Sequence, residues 1–110
     1  MITNLLFSFA GRINRAKFWL GLLIINLVAV AVLFAALAME ADMLAARLVM
    51  GLIVLYPALA VAAKRFHDRG NPGFLAILIF VPLLNLLTLL YLGIAPGTPG
   101  ANAYGPDPLG

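Results

Sequence analysis

Residues 18–39 read FWLGLLIINLVAVAVLFAALAM and contain no charged side chain. A helix of this length spans roughly 33 Å at about 1.5 Å per residue, and the hydrocarbon core of a bilayer is about 30 Å thick. The stretch therefore predicts a membrane-spanning helix.

The composition of the whole chain supports the same interpretation. Its 110 residues are 65% hydrophobic and 10% charged, and they include no cysteine. Soluble domains are roughly 45–50% apolar and about 25% charged. The composition predicts an all-α integral membrane protein that forms a single domain over residues 1–110. The lack of cysteine excludes a disulfide scaffold and a zinc ribbon.

Two further uncharged runs predict two more spans. Residues 43–63 are long enough if Arg47 extends its side chain towards the headgroups. Residues 74–95 are interrupted by Pro82, which in a membrane helix causes a kink more often than an end. We therefore expect three transmembrane helices, the third kinked at Pro82, with a re-entrant hairpin as the alternative for the third. Residues 64–73 would form a loop and residues 96–110 a tail.

The distribution of Lys and Arg predicts the orientation. Three precede residue 18, one lies in 40–47, three lie in 64–73 and none follows residue 95. By the positive-inside rule the N-terminus is cytoplasmic and the tail faces the other side. A cleaved signal peptide is the alternative for the first span. We disfavour it because an h-region has about 7–15 residues, and the apolar run before Ala36 is longer.

The two ends of the chain have distinct patterns. Residues 1–17 combine apolar side chains with Arg12, Arg15 and Lys17, which is typical of a segment lying in the headgroup layer. These basic residues either set the topology alone or contact a headgroup or a partner. The tail has eight Pro or Gly in fifteen residues, so we expect an extended or turn-rich segment.

The densest polar cluster is KRFHDRGNPG at residues 64–73. We predict a cytoplasmic basic face that contacts anionic lipid headgroups or a protein partner, with no nucleic acid involved. Its predicted contact residues are Arg12, Arg15, Lys64, Arg65, His67, Asp68 and Arg69. Within the cluster, Asp68 is expected to fix the turn by pairing with Arg65 or Arg69.

We predict no catalytic, metal or cofactor-binding residues. His67 and Asp68 with Ser8 would offer the groups of a triad, but adjacent residues rarely align a carboxylate with an imidazole in the required way. One His and one Asp are too few for a metal site. His67 is expected instead to cap a helix end or to contact a headgroup.

Polar groups within the spans are few. Asn26 and Asn85 are expected to make helix–helix contacts, within the chain or in a homo-oligomer. No charge lies in the middle of a span, which disfavours an ion-coupled transporter. The alternative function is a small oligomeric transport or channel subunit.

Three motifs occur in order along the chain: FxGRIxR at 9–15 followed by Phe18 and Trp19, a basic pair with HDxG at 64–70, and GTPGxNxYGPD at 97–107. Together they resemble the domain of unknown function 805 family of small bacterial inner-membrane proteins. Pro96 and Ala103 stand where that family usually has an acidic and a basic residue. The resemblance implies a multi-span protein of the bacterial inner membrane, and it points to no particular biochemical activity.

Overall fold

The computed structural model describes residues 2–109, which form helices and no β-strand. This confirms the predicted all-helical class. The elements, in chain order, are α1 (Ile2–Phe7), α2 (Arg15–Ala38), α3 (Met43–Asp68), a 3₁₀ segment (Gly73–Phe80) and α4 (Leu84–Ile94).

Helices α2 and α3 are each long and apolar enough to cross a membrane. Only 17% of the apolar stretch of α2 and 22% of that of α3 is buried within the protein. Large apolar side chains such as Leu27, Phe34 and Leu52 are exposed instead. A core helix of a soluble protein would be mostly buried, so the outer surfaces of these two helices match a hydrocarbon environment.

The ends of α2 and α3 follow from local sequence. The Asn14 side chain accepts a hydrogen bond from the Lys17 N–H (2.8 Å), and the Asp42 side chain accepts one from Leu44 N–H (3.4 Å). Both are preferred N-cap residues. Helix α3 continues to Asp68. Residues 64–68 are therefore helical, although the sequence predicted a loop from residue 64.

The third predicted span is not one continuous helix. The 3₁₀ segment ends at Phe80, and the backbone of Val81 is extended because Pro82 follows it. Leu83 then has a positive φ of 72°, after which α4 begins. These two residues reverse the chain direction between the 3₁₀ segment and α4.

Both ends of this interrupted region lie at the C-terminal end of α3. A Cβ on Gly73 would lie 2.7 Å from the His67 Nε2, and the Arg65 Nε donates to the Leu92 carbonyl at 2.6 Å. Eight 3₁₀ residues and eleven α-helical residues each extend about 16 Å. Residues 73–95 thus form a hairpin about half as long as a span. The kinked third span is not confirmed, and the hairpin alternative describes this geometry.

The N-terminal segment and the tail meet at the same end of the protein. Leu5 and Leu6 of α1 are buried, with Leu5 near Gly21 and Val61. The Arg12 guanidinium donates to the Gly100 carbonyl at 2.7 Å. The expectation that the tail faces the side opposite to the N-terminal segment is therefore wrong.

Replacing Leu83 by Gly distinguishes the hairpin from a continuous helix. At positive φ, Gly removes the steric strain of a side chain, so Leu83→Gly should stabilise the detergent-solubilised protein by about 1 kcal/mol. The control Leu87→Gly, inside α4, should destabilise it by about 1 kcal/mol. Unfolding curves measure both, and destabilisation by both variants would contradict the hairpin.

Candidate functional site

Most of the basic residues converge at one end of the helix bundle. The N-terminal loop, the end of α3, the end of α4 and the tail all meet there. We call this region the basic end. It contains six of the seven Lys and Arg residues together with Asp68 and Asp107: Arg12, Arg15, Lys17, Lys64, Arg65 and Arg69.

Asp68 lies at the centre of the basic end and binds two arginines. Its Oδ1 accepts from the Arg12 Nε at 3.0 Å and lies 2.9 Å from the Arg12 Nη2, while its Oδ2 accepts from the Arg65 Nη1. The Arg12 and Arg65 side chains are 1% and 0% exposed. The predicted pairing with Arg65 is present, and Arg12 takes the second position rather than Arg69.

The tail packs directly on Asp68. The Thr98 N–H donates to the Asp68 carbonyl at 2.6 Å. A Cβ on Gly97 would overlap the Asp68 carboxylate, so the absence of a side chain allows this approach. The carboxylate is thereby enclosed by the N-terminal loop, α3 and the tail.

The C-terminal end of α4 is held by side-chain donors. The last carbonyls of a helix lack intrahelical partners, and cations are favourable beside them. Arg65 donates to the Leu92 and Ala95 carbonyls. Three further donors serve neighbouring carbonyls: Trp19 Nε1 to Gly93 at 3.0 Å, Arg15 to Ile94 at 3.0 Å, and Arg69 to Pro96.

Arg12 binds the tail through several carbonyls. It donates to Thr98 at 2.6 Å, Gly100 at 2.7 Å and Gly105 at 3.2 Å. The Asp107 carboxylate accepts from the N–H groups of Leu109 and Gly100. These hydrogen bonds lower the pKa of Asp107 below its ordinary value. The turn-rich tail is thus fixed to the rest of the protein by hydrogen bonds from the Arg12 side chain to its backbone carbonyls.

His67 does not form a catalytic pair with Asp68. Its Nδ1 lies 2.9 Å from the Gly11 carbonyl, and its ring stacks on Tyr104 with centroids 4.1 Å apart. The Ser8 hydroxyl accepts from the Ala10 N–H. No triad geometry is therefore present among residues 2–109, and the same residues include no group of three potential metal-ligating side chains.

The predicted contact residues divide into two groups. Arg12, Lys64, Arg65 and Asp68 have buried side chains that bind within the protein, so they do not form an open face. Arg15 is exposed, and His67 and Arg69 are half-buried, with Arg69 also contacting Tyr91. A role for these three residues in lipid or partner contact stays a prediction.

Asn26 and Asn85 make no side-chain hydrogen bond to another helix in the described part of the chain. Asn26 donates to the Leu22 carbonyl of its own helix, and the Asn85 side chain accepts from the Leu86 N–H. Both residues are exposed. The predicted contacts within the chain are therefore not found, and a contact between copies stays a prediction.

A cavity of about 540 Å³ lies beside the basic end, between α1, the N-terminal loop and the start of α2. Arg12, Lys17 and Lys64 line it, and Lys64 also donates to the carbonyls of Asn4 and Leu5. The cavity is not evident from the sequence, because nothing in the sequence places α1 beside Lys64. Its polar lining is completed by Asn4 and Ser8.

The proteins that are similar to this chain include inner membrane proteins. The family model described as "Protein of unknown function (DUF805)" matches residues 6–106. The inner membrane protein YhaI of Escherichia coli K12 is 34% identical over 101 residues, which cover 92% of this chain and 86% of YhaI. The inner membrane protein YhaH of the same strain is 30% identical over 106 residues, with 92% and 87% covered. No solved structure matches the chain.

A double-mutant cycle tests the pairing of Asp68. Asp68→Asn, Arg65→Gln and Arg12→Gln should each destabilise the protein by about 3 kcal/mol, because each takes from a buried charge one of its oppositely charged partners. Asp68→Asn combined with either arginine variant should cost less than the sum, by at least about 1 kcal/mol. Thermal and chemical unfolding in detergent measure these differences.

Arg69→Gln is the control for this cycle, since Arg69 binds Tyr91 and Pro96 rather than the carboxylate. Its combination with Asp68→Asn should be closer to additive. Additive behaviour with both Arg12 and Arg65 would show that Asp68 does not hold the basic end together.

Proposed function

The chain belongs to the DUF805 family, whose function is unknown, and we propose that it is a non-catalytic, multi-span inner-membrane protein that binds an anionic lipid headgroup at its basic end. The observation that carries this proposal is the charge imbalance there. Six basic side chains face two acidic ones, Asp68 and Asp107. The cavity is lined by three of the basic residues and, among the described residues, by no acidic one.

The same imbalance supports an orientation in the membrane. Arg47 is the one basic residue outside the basic end. It lies near the start of α3, shortly after Glu40 and Asp42 at the turn between α2 and α3. By the positive-inside rule the basic end is cytoplasmic. Helices α2 and α3 then cross the bilayer, the hairpin of residues 73–95 enters and leaves from the cytoplasmic side, and both ends of the chain are cytoplasmic.

The chemistry of the cavity fits a phosphate group. Lys17 is exposed and Lys64 is buried, so the cavity has one cation near the solvent and one deeper inside that two backbone carbonyls hold in place. Asn4 and Ser8 add hydrogen-bonding groups. Each basic side chain near an anionic leaflet contributes about 1 kcal/mol. Several such groups around one cavity favour a bound headgroup over a diffuse ion atmosphere.

A second candidate function is a small oligomeric transport or channel subunit. The observation that favours it is the exposure of Asn26 and Asn85 on helices that would lie in hydrocarbon, where amides favour contact with another helix. Ion flux across liposomes containing the purified protein separates this function from lipid binding alone.

Lys17→Gln tests the proposed headgroup site. Lys17 makes no side-chain hydrogen bond within residues 2–109, so the variant should leave the fold intact. The loss of about 1 kcal/mol should lower retention of phosphatidylglycerol about fivefold in native mass spectrometry. Arg47→Gln removes the same charge from the other end of the bundle and should have no effect. Equal retention by both variants and the unchanged protein would exclude the site.

Reporter fusions after Gly110 test the orientation. With both ends of the chain cytoplasmic, a fluorescent protein fused there should be bright and alkaline phosphatase should be inactive. A fusion within the turn at residues 40–42 should give the opposite result. An active phosphatase at the C-terminus would instead indicate three complete spans.

A further inference from the structure

An apolar groove of about 150 Å³ lies between α1, α2 and α3. Its lining consists of apolar side chains, among them Leu6, Phe7, Ile24, Val28, Ile53 and Pro57. The Phe7 carbonyl accepts from the Tyr56 hydroxyl at 2.9 Å, so this carbonyl has a protein partner. The groove therefore suits a hydrocarbon chain and offers little to a polar ligand.

Along two helices, the groove lies further from the basic end than the basic cavity does. On α2, the cavity residue Lys17 is seven residues from the groove residue Ile24. On α3, Lys64 is seven residues from Pro57. Because α2 and α3 are antiparallel, both spacings give the same depth, about 10 Å at 1.5 Å per residue.

Helix α1 joins the two spaces. Near its middle, the Asn4 and Leu5 carbonyls bind Lys64, and at its end the Phe7 carbonyl binds Tyr56, which lies eight residues before Lys64 on α3. Asn4, Leu5 and the following Ser8 line the cavity, whereas Leu6 and Phe7 line the groove. The short helix α1 therefore borders the basic cavity on one side and the apolar groove on the other.

From this arrangement we infer that the protein binds one diacyl anionic phospholipid, with its phosphate in the basic cavity and one acyl chain in the groove beneath α1. The inference rests on the proposed headgroup site and names its ligand. A phospholipid has a charged phosphate and an apolar chain joined by a short glycerol linker. The basic cavity and the apolar groove offer these two groups neighbouring sites along α2 and α3.

The main competing ligand is a soluble phosphate compound, which shares the phosphate chemistry but has no chain for the groove. Such a ligand would bind the cavity and be indifferent to the groove. A phospholipid would depend on both spaces. Variants of the groove and of the cavity therefore separate the two sources of phosphate.

Ile53→Trp fills the groove without changing the charge. Ile53 is 44% exposed, so a larger side chain has room to turn into the groove. Leu52→Trp is the matched control, because Leu52 is 73% exposed and is not among the residues that line the groove. Native mass spectrometry of the purified full chain in detergent would measure bound dioleoylphosphatidylglycerol, with dioleoylphosphatidylcholine as the zwitterionic reference of zero net charge.

We expect Ile53→Trp and Lys17→Gln each to lower retention of dioleoylphosphatidylglycerol about fivefold, and Leu52→Trp to leave it unchanged. A large excess of glycerol phosphate should not displace the lipid. If Ile53→Trp lowers the melting temperature, Val28→Phe with its neighbour Leu27→Phe as control repeats the test on α2.

The outcomes separate this inference from the proposed function. Full retention in both groove variants, with a loss in Lys17→Gln, would overturn the acyl-chain site and leave the headgroup site standing. Displacement by glycerol phosphate would assign the cavity to a soluble anion and overturn the inference as well. Full retention in Lys17→Gln would overturn the proposed function itself.

Discussion

The carboxylate of Asp68 is shared by two buried guanidinium groups, and the rest of the fold depends on this arrangement. Arg12 brings the N-terminal loop to it and Arg65 belongs to the same helix. Each arginine then uses its remaining N–H groups on backbone carbonyls of the hairpin or the tail. A buried charge that loses its partner costs several kcal/mol. Four separate chain segments are therefore coupled through one side chain.

The basic residues have two physical roles in this structure. Arg12, Arg15, Arg65 and Arg69 donate to carbonyls that no helix satisfies, at the end of α4 and in the tail. Lys17 and Lys64 line a cavity that no acidic side chain neutralises in the described chain. A buried carbonyl without a partner costs free energy comparable to a lost hydrogen bond. The arginines therefore explain the stability of the basic end, and the lysines line the cavity to which we assign the headgroup.

The parts of the fold that the sequence predicts are those that depend on local pattern. Uncharged runs predict α2 and α3, and the closeness of Asp68 to Arg65 and Arg69 in the sequence predicts a charge pair, although in a loop and not on a helix. Pro82 fits a kink as well as a hairpin, so the third region stays open at the level of sequence. The role of Arg12 is hidden for another reason: its acceptors are backbone carbonyls and a carboxylate 56 residues away. Every residue has a backbone carbonyl, so the sequence does not show which carbonyls accept the hydrogen bonds of Arg12. Gly93 and Gly97, which allow Trp19 and Asp68 to approach, are the residues that indicate such contacts.

The positions of these donors and acceptors along the chain also order its assembly on the ribosome. Arg12, Arg65 and Asp68 are synthesised well before the carbonyls of residues 92–105 that complete their hydrogen bonds. Until those residues emerge, a charged cluster with unsatisfied donors lies at the ends of two helices that are already apolar enough to insert. The basic end therefore closes only when the tail arrives. A chain interrupted before residue 92 lacks the carbonyls that Arg12 and Arg65 use, so these buried donors would have no backbone partner from the hairpin or the tail.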